Sequence, residues 1–284
     1  FMTGYQPERM ELAGRDEVAR AIYTEIMEGR GTKHGGVYLD VRELGKEEIL
    51  KLIPDVYEKF KSVGVDISRE MKENTPTMHH MMGGVKIDEW GSTPVGGFFA
   101  CGEVTCSIHG ANRLGGNSLA EGQVFGRRAG IAAAKYTKTA SRAKISGKEL
   151  AAEINRINSF KQNKKAVSFE KIRKGLKETM WDNVGIVRTN AHMKKALQDI
   201  EGLERRVSEM KAKNPLELQR CLETIEMLKV ARLIGTAALL RTESRGAHYR
   251  EDFPEMDKHW EKNILLTKKN RAIGTDIVPT VKRS

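Results

Sequence analysis

The stretch that decides the fold is HGANRLGGNSL, residues 109–119. Three of its residues are glycines, and Arg113 is its one arginine or lysine. The pattern after it predicts a helix over about 118–134, with Asn117 or Ser118 as a competent N-cap. The first N–H groups of a helix have no intrahelical partner and carry a partial positive charge, so this helix start is suited to an anionic ligand or a nucleotide. The lysine and the spacing of a P-loop are absent.

Arg113 and the histidine pair at 79–80 are the candidate ligand-binding side chains. A guanidinium binds a carboxylate in a bidentate manner, but Arg113 could equally tie the loop to a neighbouring acid. One of the two histidines could donate to a substrate carboxylate or make a structural hydrogen bond. The residues alone leave both alternatives open.

Glu103 lies just before this loop. Residues 97–101 predict a buried apolar strand, and Glu103 follows its carboxyl end, where ligands gather in α/β folds. A carboxylate at that point accepts hydrogen bonds from ribose or ribityl hydroxyls. The helix after the loop repeats glycine at 122, 126 and 130, which predicts a close-packed neighbour such as a sheet.

The chain has 284 residues, of which 39% are hydrophobic and 31% charged, which predicts two or three compact units. It has no apolar run of the roughly 18 residues that a membrane span needs. Three cysteines are too few for a disulfide framework and indicate a reducing cytosol. Cys101 and Cys106 do not have metal-ligand spacing, so we expect no metal site and two small buried side chains. Because the chain starts on Phe1, we expect a C-terminal fragment of a longer polypeptide.

The net charge of +11 is concentrated in residues 135–177, which hold 13 lysines and arginines against three glutamates. A non-catalytic module that binds nucleic acid or an acidic partner is therefore one alternative. No nucleic-acid motif accompanies the stretch. A solvated linker and solvated helix faces are the favoured interpretation, so we expect no nucleic-acid partner.

Six blocks in matching order resemble one known family. They are ELAGRD (11–16), TPTMHHMMGG (75–84), FACGE (99–103), HGANRLGGNSL (109–119), VFGR (124–127) and SRGAHYREDFP (244–254). They are similar to the flavoprotein subunit of succinate dehydrogenase and fumarate reductase over nearly the whole chain. Two departures concern the subtype: the run between Glu103 and Arg113 is one residue shorter than in many membrane-complex members, and AEG (120–122) replaces a more apolar stretch.

The resemblance implies an α+β multidomain fold. It consists of the C-terminal parts of a capping domain and of a Rossmann-like flavin domain, followed by a helical bundle. We expect a capping part at 1–74, a flavin part at 75–134, a basic linker at 135–146, a helical domain at 147–242 and a C-terminal segment at 243–284. The family's dinucleotide fingerprint and its covalent-flavin histidine would then precede Phe1.

The resemblance also implies roles for single residues. Arg15 matches the catalytic proton-transfer arginine, whose alternative role is a helix-start arginine held by Asp16 or Glu17. His79 and Arg113 match the residues that bind the two carboxylates of the substrate. The expected FAD contacts, by the same resemblance, are Glu103, Asn117, Ser118 and Leu119.

The implied reaction interconverts fumarate and succinate, with hydride transfer through the N5 atom of FAD. The nearest alternative is an L-aspartate oxidase, which shares much of the scaffold. An iron–sulfur subunit is the expected electron-transfer partner. We expect a cytoplasmic protein that contacts a membrane only through other subunits.

Overall fold

The computed structural model describes residues 1–106, 108–141, 144–163, 167–270 and 272–280. It divides into two compact units, Phe1–His80 and Met81–Ser284. The helices of the first unit are α1 (Arg15–Met27), α2 (Gly45–Leu52) and α3 (Pro54–Lys61). Those of the second are α4 (Asn117–Thr137), α5 (Gly147–Gln162), α6 (Phe169–Val184), α7 (Asn190–Arg206) and α8 (Pro215–Leu240).

The described strands form three two-stranded sheets. In the first unit β1 (Val37–Leu39) pairs antiparallel with β2 (Lys72–Asn74). In the second unit β3 (Val85–Lys86) pairs parallel with β4 (Thr105–Cys106). The antiparallel hairpin of β5 (Lys262–Lys269) and β6 (Ala272–Pro279) closes the described chain. The structure therefore mixes helices and strands, as the sequence predicts.

Local sequence explains two of the helix starts in the first unit. Helix α1 buries Ala21 and Ile22, and the Glu17 carboxylate accepts from the Gly14 backbone N–H at its start. Pro54 begins α3, because the first helical position needs no N–H donor and suits the fixed φ of proline.

The predicted buried strand at 97–101 is wrong. The structure gives this stretch a single bridge, Ser92 to Phe99, and Phe98 is 49% exposed. Gly97 has a φ of 78°, and the Thr93 N–H donates to the Phe98 carbonyl at 3.1 Å, so the chain turns back on itself instead of extending. The strand that pairs with β3 in this region is instead β4, a few residues later in the chain. The expectation for Cys106 is wrong as well, since this residue is exposed in β4.

The glycine stripe of α4 has one close neighbour in the described chain. A Cβ at Gly126 would lie 3.8 Å from the Cys101 Sγ, whereas a Cβ at Gly122 or Gly130 would meet nothing within 4 Å. The close packing expected along the whole stripe is therefore present only at its centre.

Helices α5–α8 form a packed bundle around Ile172, Ile200, Cys221 and Leu228. Each of the four is capped by a side chain that accepts from its first turn: Ser146, Ser168, Thr189 and Asn214. None of the described helices combines the length and the apolar character that crossing a bilayer requires. The structure places four helices between Gly147 and Leu240.

Candidate functional site

The start of α4 differs from the helix starts of the bundle. The N-cap is Gly116, with a φ of 81°, and not Asn117 or Ser118 as expected, so no side chain of the described residues caps the helix. Gly116 takes this position because the chain enters the helix through a left-handed turn that a residue with a Cβ adopts with strain. The first turn also contains no acid. The amides at this end are therefore suited to an anionic group from outside the helix.

The three expected flavin contacts form the first turn of α4. Asn117 is exposed, Ser118 is half-buried, and the Leu119 side chain is 81% exposed. Leu114, in the loop before them, is 74% exposed. This turn thus presents backbone donors beside apolar side chains, which suits a flat heteroaromatic ring with a polar edge.

Glu103 lies in the turn before β4 and is exposed. Its Oε1 atom accepts from the Met81 backbone N–H at 3.0 Å. This bond fixes the carboxylate next to the MMGG stretch (81–84). The structure therefore gives Glu103 a defined position from which it can accept from a ligand hydroxyl.

Arg113 is held loosely by its surroundings. Its Nη1 donates to the neighbouring Leu114 carbonyl at 3.3 Å, and its Nε is buried with no hydrogen-bond partner among the described residues. Within the same residues no carboxylate pairs with it, so the alternative in which Arg113 ties the loop to an acid is not what the structure shows. A buried donor without a partner costs about 1–3 kcal/mol, which a bound carboxylate would recover.

A buried carboxylate, that of Glu121, lies between the loop and β4. The Glu121 side chain is 1% exposed, and its Oε2 lies 3.9 Å from the Nε2 of His109, which is 4% exposed. The Thr105 hydroxyl on β4, which donates to the Gly102 carbonyl at 2.8 Å, lies 3.4 Å from the Glu121 Oε1. Glu121 therefore joins the strand before the loop to the loop itself. Sequence reasoning missed this role, although the departure at AEG (120–122) was its signal.

The loop is also contacted by a distant segment of the chain. The Ala247 backbone N–H donates to the Ala111 carbonyl at 3.2 Å. Gly246 has a φ of 55°, and a Cβ on it would lie 2.5 Å from the Ala111 carbonyl oxygen. The SRGAHYREDFP stretch (244–254) is thereby packed against the backbone two residues before Arg113.

Charged groups hold this segment. The buried Glu243 pairs with Arg241 at 2.5 Å and with Arg245 at 2.8 Å. Arg250 is 1% exposed, pairs with Asp252 at 2.7 Å and donates to the Arg241 carbonyl at 2.9 Å, just beyond the end of α8. Arg250 also holds the pKa of the Asp252 carboxyl low, at about 2.

His248 lies in the same segment as a neutral imidazole. Its Nδ1 is 2.7 Å from the Nη1 of Arg188, whose Nε donates to the Val184 carbonyl at the end of α6. Burial, together with the Arg188 charge, lowers the pKa of His248 to about 4. Because a guanidinium only donates, Nδ1 is the acceptor of this bond and the ring proton is on Nε2.

We expect His248 to make the protein acid-sensitive. Its folded-state pKa of about 4 lies below the usual 6.5, so the unfolded chain binds a proton that the folded protein excludes. The contribution of neutral His248 to the free energy of unfolding is therefore fully present above pH 6.5. It decreases as the pH falls towards 4, by on the order of 2 kcal/mol. His248→Asn, which keeps an acceptor for Arg188, should lose less stability over this range than the wild type does. Denaturant unfolding from pH 7.5 to 4.5 measures the difference.

The control for this series is His192→Asn, at an exposed position in α7. It should follow the wild-type pH profile. Parallel profiles for His248→Asn and the wild type would contradict the assignment of a neutral, buried imidazole.

Arg15 and His79 belong to the first unit. Arg15 is exposed and is the first residue of α1. The two acids next to it bond elsewhere, Asp16 to Arg20 at 3.2 Å and Glu17 to the Gly14 N–H. His79 is exposed at the end of the unit. Glu103, Arg113 and the α4 start belong to the second unit.

Two family models match separate stretches of this chain. A family model for the FAD binding domain matches residues 1–119, and one for the fumarate reductase flavoprotein C-terminus matches residues 173–280. One subunit of the fumarate reductase (CoM/CoB) of Methanothermobacter marburgensis is 48% identical, over 95% of this chain and 49% of its own length. The L-aspartate oxidase of Yersinia pestis is 35% identical, over 93% of this chain and 48% of its own length.

Among solved structures, a quinol-fumarate reductase with menaquinol molecules superposes with a TM-score of 0.90 at 31% identity. The match covers 100% of this chain and 54% of that one. This chain spans about half the length of the curated relatives that it matches. The fold, the motifs and both family models agree, and the chain belongs to the flavoprotein-subunit family of succinate dehydrogenase and fumarate reductase, whose cofactor is FAD.

Proposed function

We propose that this chain supplies one half of a site at which FAD interconverts fumarate and succinate. The observation that supports the proposal is the buried Arg113 Nε, which has no partner among the described residues, just before an uncapped helix start. A dicarboxylate oxygen would satisfy that donor. No acid in the described part of the chain does so.

The residues at the start of α4 fit FAD. When bound, FAD exchanges a hydride with the substrate, and the electron-rich edge of its reduced form requires nearby donors. The amides of Ser118 and Leu119 would provide these donors, together with the positive end of the helix dipole. Asn117 completes the turn, and Glu103 would accept from a hydroxyl of the cofactor.

The remaining roles concern the substrate. Arg113 would hold one carboxylate in a fork of two hydrogen bonds, and His79 would donate to the other. Arg15 would give a proton to one carbon of fumarate, or take it from succinate.

The proposal predicts which substrates exchange electrons with the enzyme. In the FAD-loaded holoenzyme, under anaerobic conditions, we expect succinate to reduce the flavin and fumarate to reoxidise it. L-Aspartate should leave the flavin oxidised, because its ammonium group adds a charge for which a site built for two carboxylates has no partner. The flavin absorbance measures each outcome.

Aerobic hydrogen peroxide formation from L-aspartate is the matched assay for the alternative. Flavin reduction by aspartate together with peroxide would show an aspartate oxidase and would contradict our assignment.

We further propose that electrons reach the FAD through an iron–sulfur subunit, with any membrane contact made by other subunits. The relatives support a complex, because their names mention subunits and a quinol. Copurification of a red-brown iron-containing partner with the tagged holoenzyme tests this assignment.

A further inference from the structure

We propose that residues 243–250, here called the brace segment, position Arg113 for the substrate, with Gly246 and Ala247 as positioning residues. This inference rests on the proposed function, because its readout is dicarboxylate binding. It assigns a role to a motif that the substrate and FAD contacts leave unused.

The brace segment ends in a narrow tip. Arg245 and His248 form an antiparallel bridge, in which the Arg245 N–H donates to the His248 carbonyl at 2.8 Å and the His248 N–H donates back at 3.1 Å. Gly246 and Ala247 are the two residues of the turn. The positive φ of Gly246 is typical of such two-residue turns.

The turn at Gly246 and Ala247 contacts the loop that carries Arg113. Ala247 donates to the Ala111 carbonyl, and a Cβ on Gly246 would also lie 3.0 Å from the Asn112 Cβ. Only Asn112 separates the contacted carbonyl from Arg113. We expect a displacement of Ala111 to shift Arg113, because only the φ and ψ angles of Asn112 lie between two rigid peptide units.

The base of the brace segment is anchored at several points. The Ser244 hydroxyl accepts from the Arg250 N–H at 2.8 Å and donates to the Phe253 carbonyl at 2.8 Å. Arg250 and Arg188 attach the segment to the ends of α8 and α6, as described above. Because its ends are anchored in this way, the turn at Gly246 and Ala247 can hold the loop that carries Arg113 in one position.

The helical bundle thereby contributes to substrate affinity without touching the substrate. A guanidinium displaced by about 1 Å loses one arm of its bidentate contact with a carboxylate, and misplacements of that size cost on the order of a hundredfold in enzymes. The proposed FAD contacts are Glu103 and the first turn of α4 and do not include Ala111, so we expect the cofactor content to stay constant.

Gly246→Ala in the FAD-loaded holoenzyme tests the proposal. We expect the Kd of fumarate for the oxidised holoenzyme, in which it binds without reacting and is measured from the change in flavin absorbance, to rise roughly 10- to 100-fold, and KM for fumarate to rise in parallel. We expect kcat to change much less than KM. Gly202→Ala is the matched control, because a Cβ at this α7 position meets nothing within 4 Å, and it should leave Kd unchanged.

A double-mutant cycle separates positioning from general damage. If the brace segment acts through Arg113, Gly246→Ala adds nothing to the Kd of Arg113→Ala. A Kd unchanged by Gly246→Ala, or effects that simply add, would overturn the proposal. A Kd unchanged by Arg113→Ala alone would instead contradict the proposed function. If Gly246→Ala does not fold, Ser244→Ala loosens the base and should raise Kd in the same direction, and an unchanged Kd would also overturn the proposal.

Discussion

Arg113→Ala is expected to lower kcat/KM for fumarate on the order of a thousandfold in the FAD-loaded holoenzyme. The variant removes the positive charge and the pair of guanidinium N–H donors proposed to bind a substrate carboxylate. Truncating one partner of a buried charged pair costs about 2–5 kcal/mol. Arg113→Lys should recover part of the loss, since a lysine keeps the charge but not the planar pair of donors. Steady-state kinetics over a range of fumarate concentrations measure both variants.

Arg156→Ala is the matched control for this experiment. Arg156 lies on α5 and pairs with Glu153 at 2.6 Å on the exposed face of that helix. Such surface pairs contribute little, so kcat/KM should stay within about twofold of the wild type. If Arg113→Ala were as active as this control, Arg113 would not bind substrate.

Local sequence patterns predicted the parts of the site that depend on neighbouring residues. The loop before α4 and the helix itself follow from glycines and helix periodicity within some twenty residues. The exact N-cap was missed because the choice between Gly116 and Asn117 depends on how the chain enters the helix. The strand expected at 97–101 failed because Gly97 turns the chain where composition alone indicated an apolar run.

Contacts between distant parts of the chain could not be predicted. Ala111 and Ala247 are joined by a backbone hydrogen bond. The identity of a side chain does not indicate which distant backbone group its residue will bond. Glu121 and His109 are 12 residues apart, and their pairing depends on the path of the loop between them. The β5–β6 hairpin was read only as part of a C-terminal segment, because its strands alternate weakly and carry many charges. The motif blocks identified the family, and the structure then showed which blocks touch.

Arg15→Lys is expected to reduce kcat roughly 10²- to 10⁴-fold, the usual contribution of a positioned proton donor or acceptor. The Kd of fumarate for the oxidised holoenzyme should stay close to the wild-type value, because the proposed role of Arg15 lies in proton transfer and not in ground-state binding. Steady-state kinetics give kcat, and the flavin absorbance change gives Kd. A KM increase with unchanged kcat would show that Arg15 only binds substrate.

The position of Arg15 at the start of α1 allows an effect on catalysis to be told apart from an effect on stability. It is the first residue of α1, and a cation there opposes the helix dipole by about 0.3–1 kcal/mol. Asp16 and Glu17 bond to other groups, so the described residues include no stabilising partner that would explain an arginine at this point. Arg15→Gln should therefore leave the melting temperature unchanged or slightly higher while kcat falls by the same large factor. A residue retained for the fold would give the opposite result, with a lower melting temperature and nearly normal turnover in the protein that remains folded.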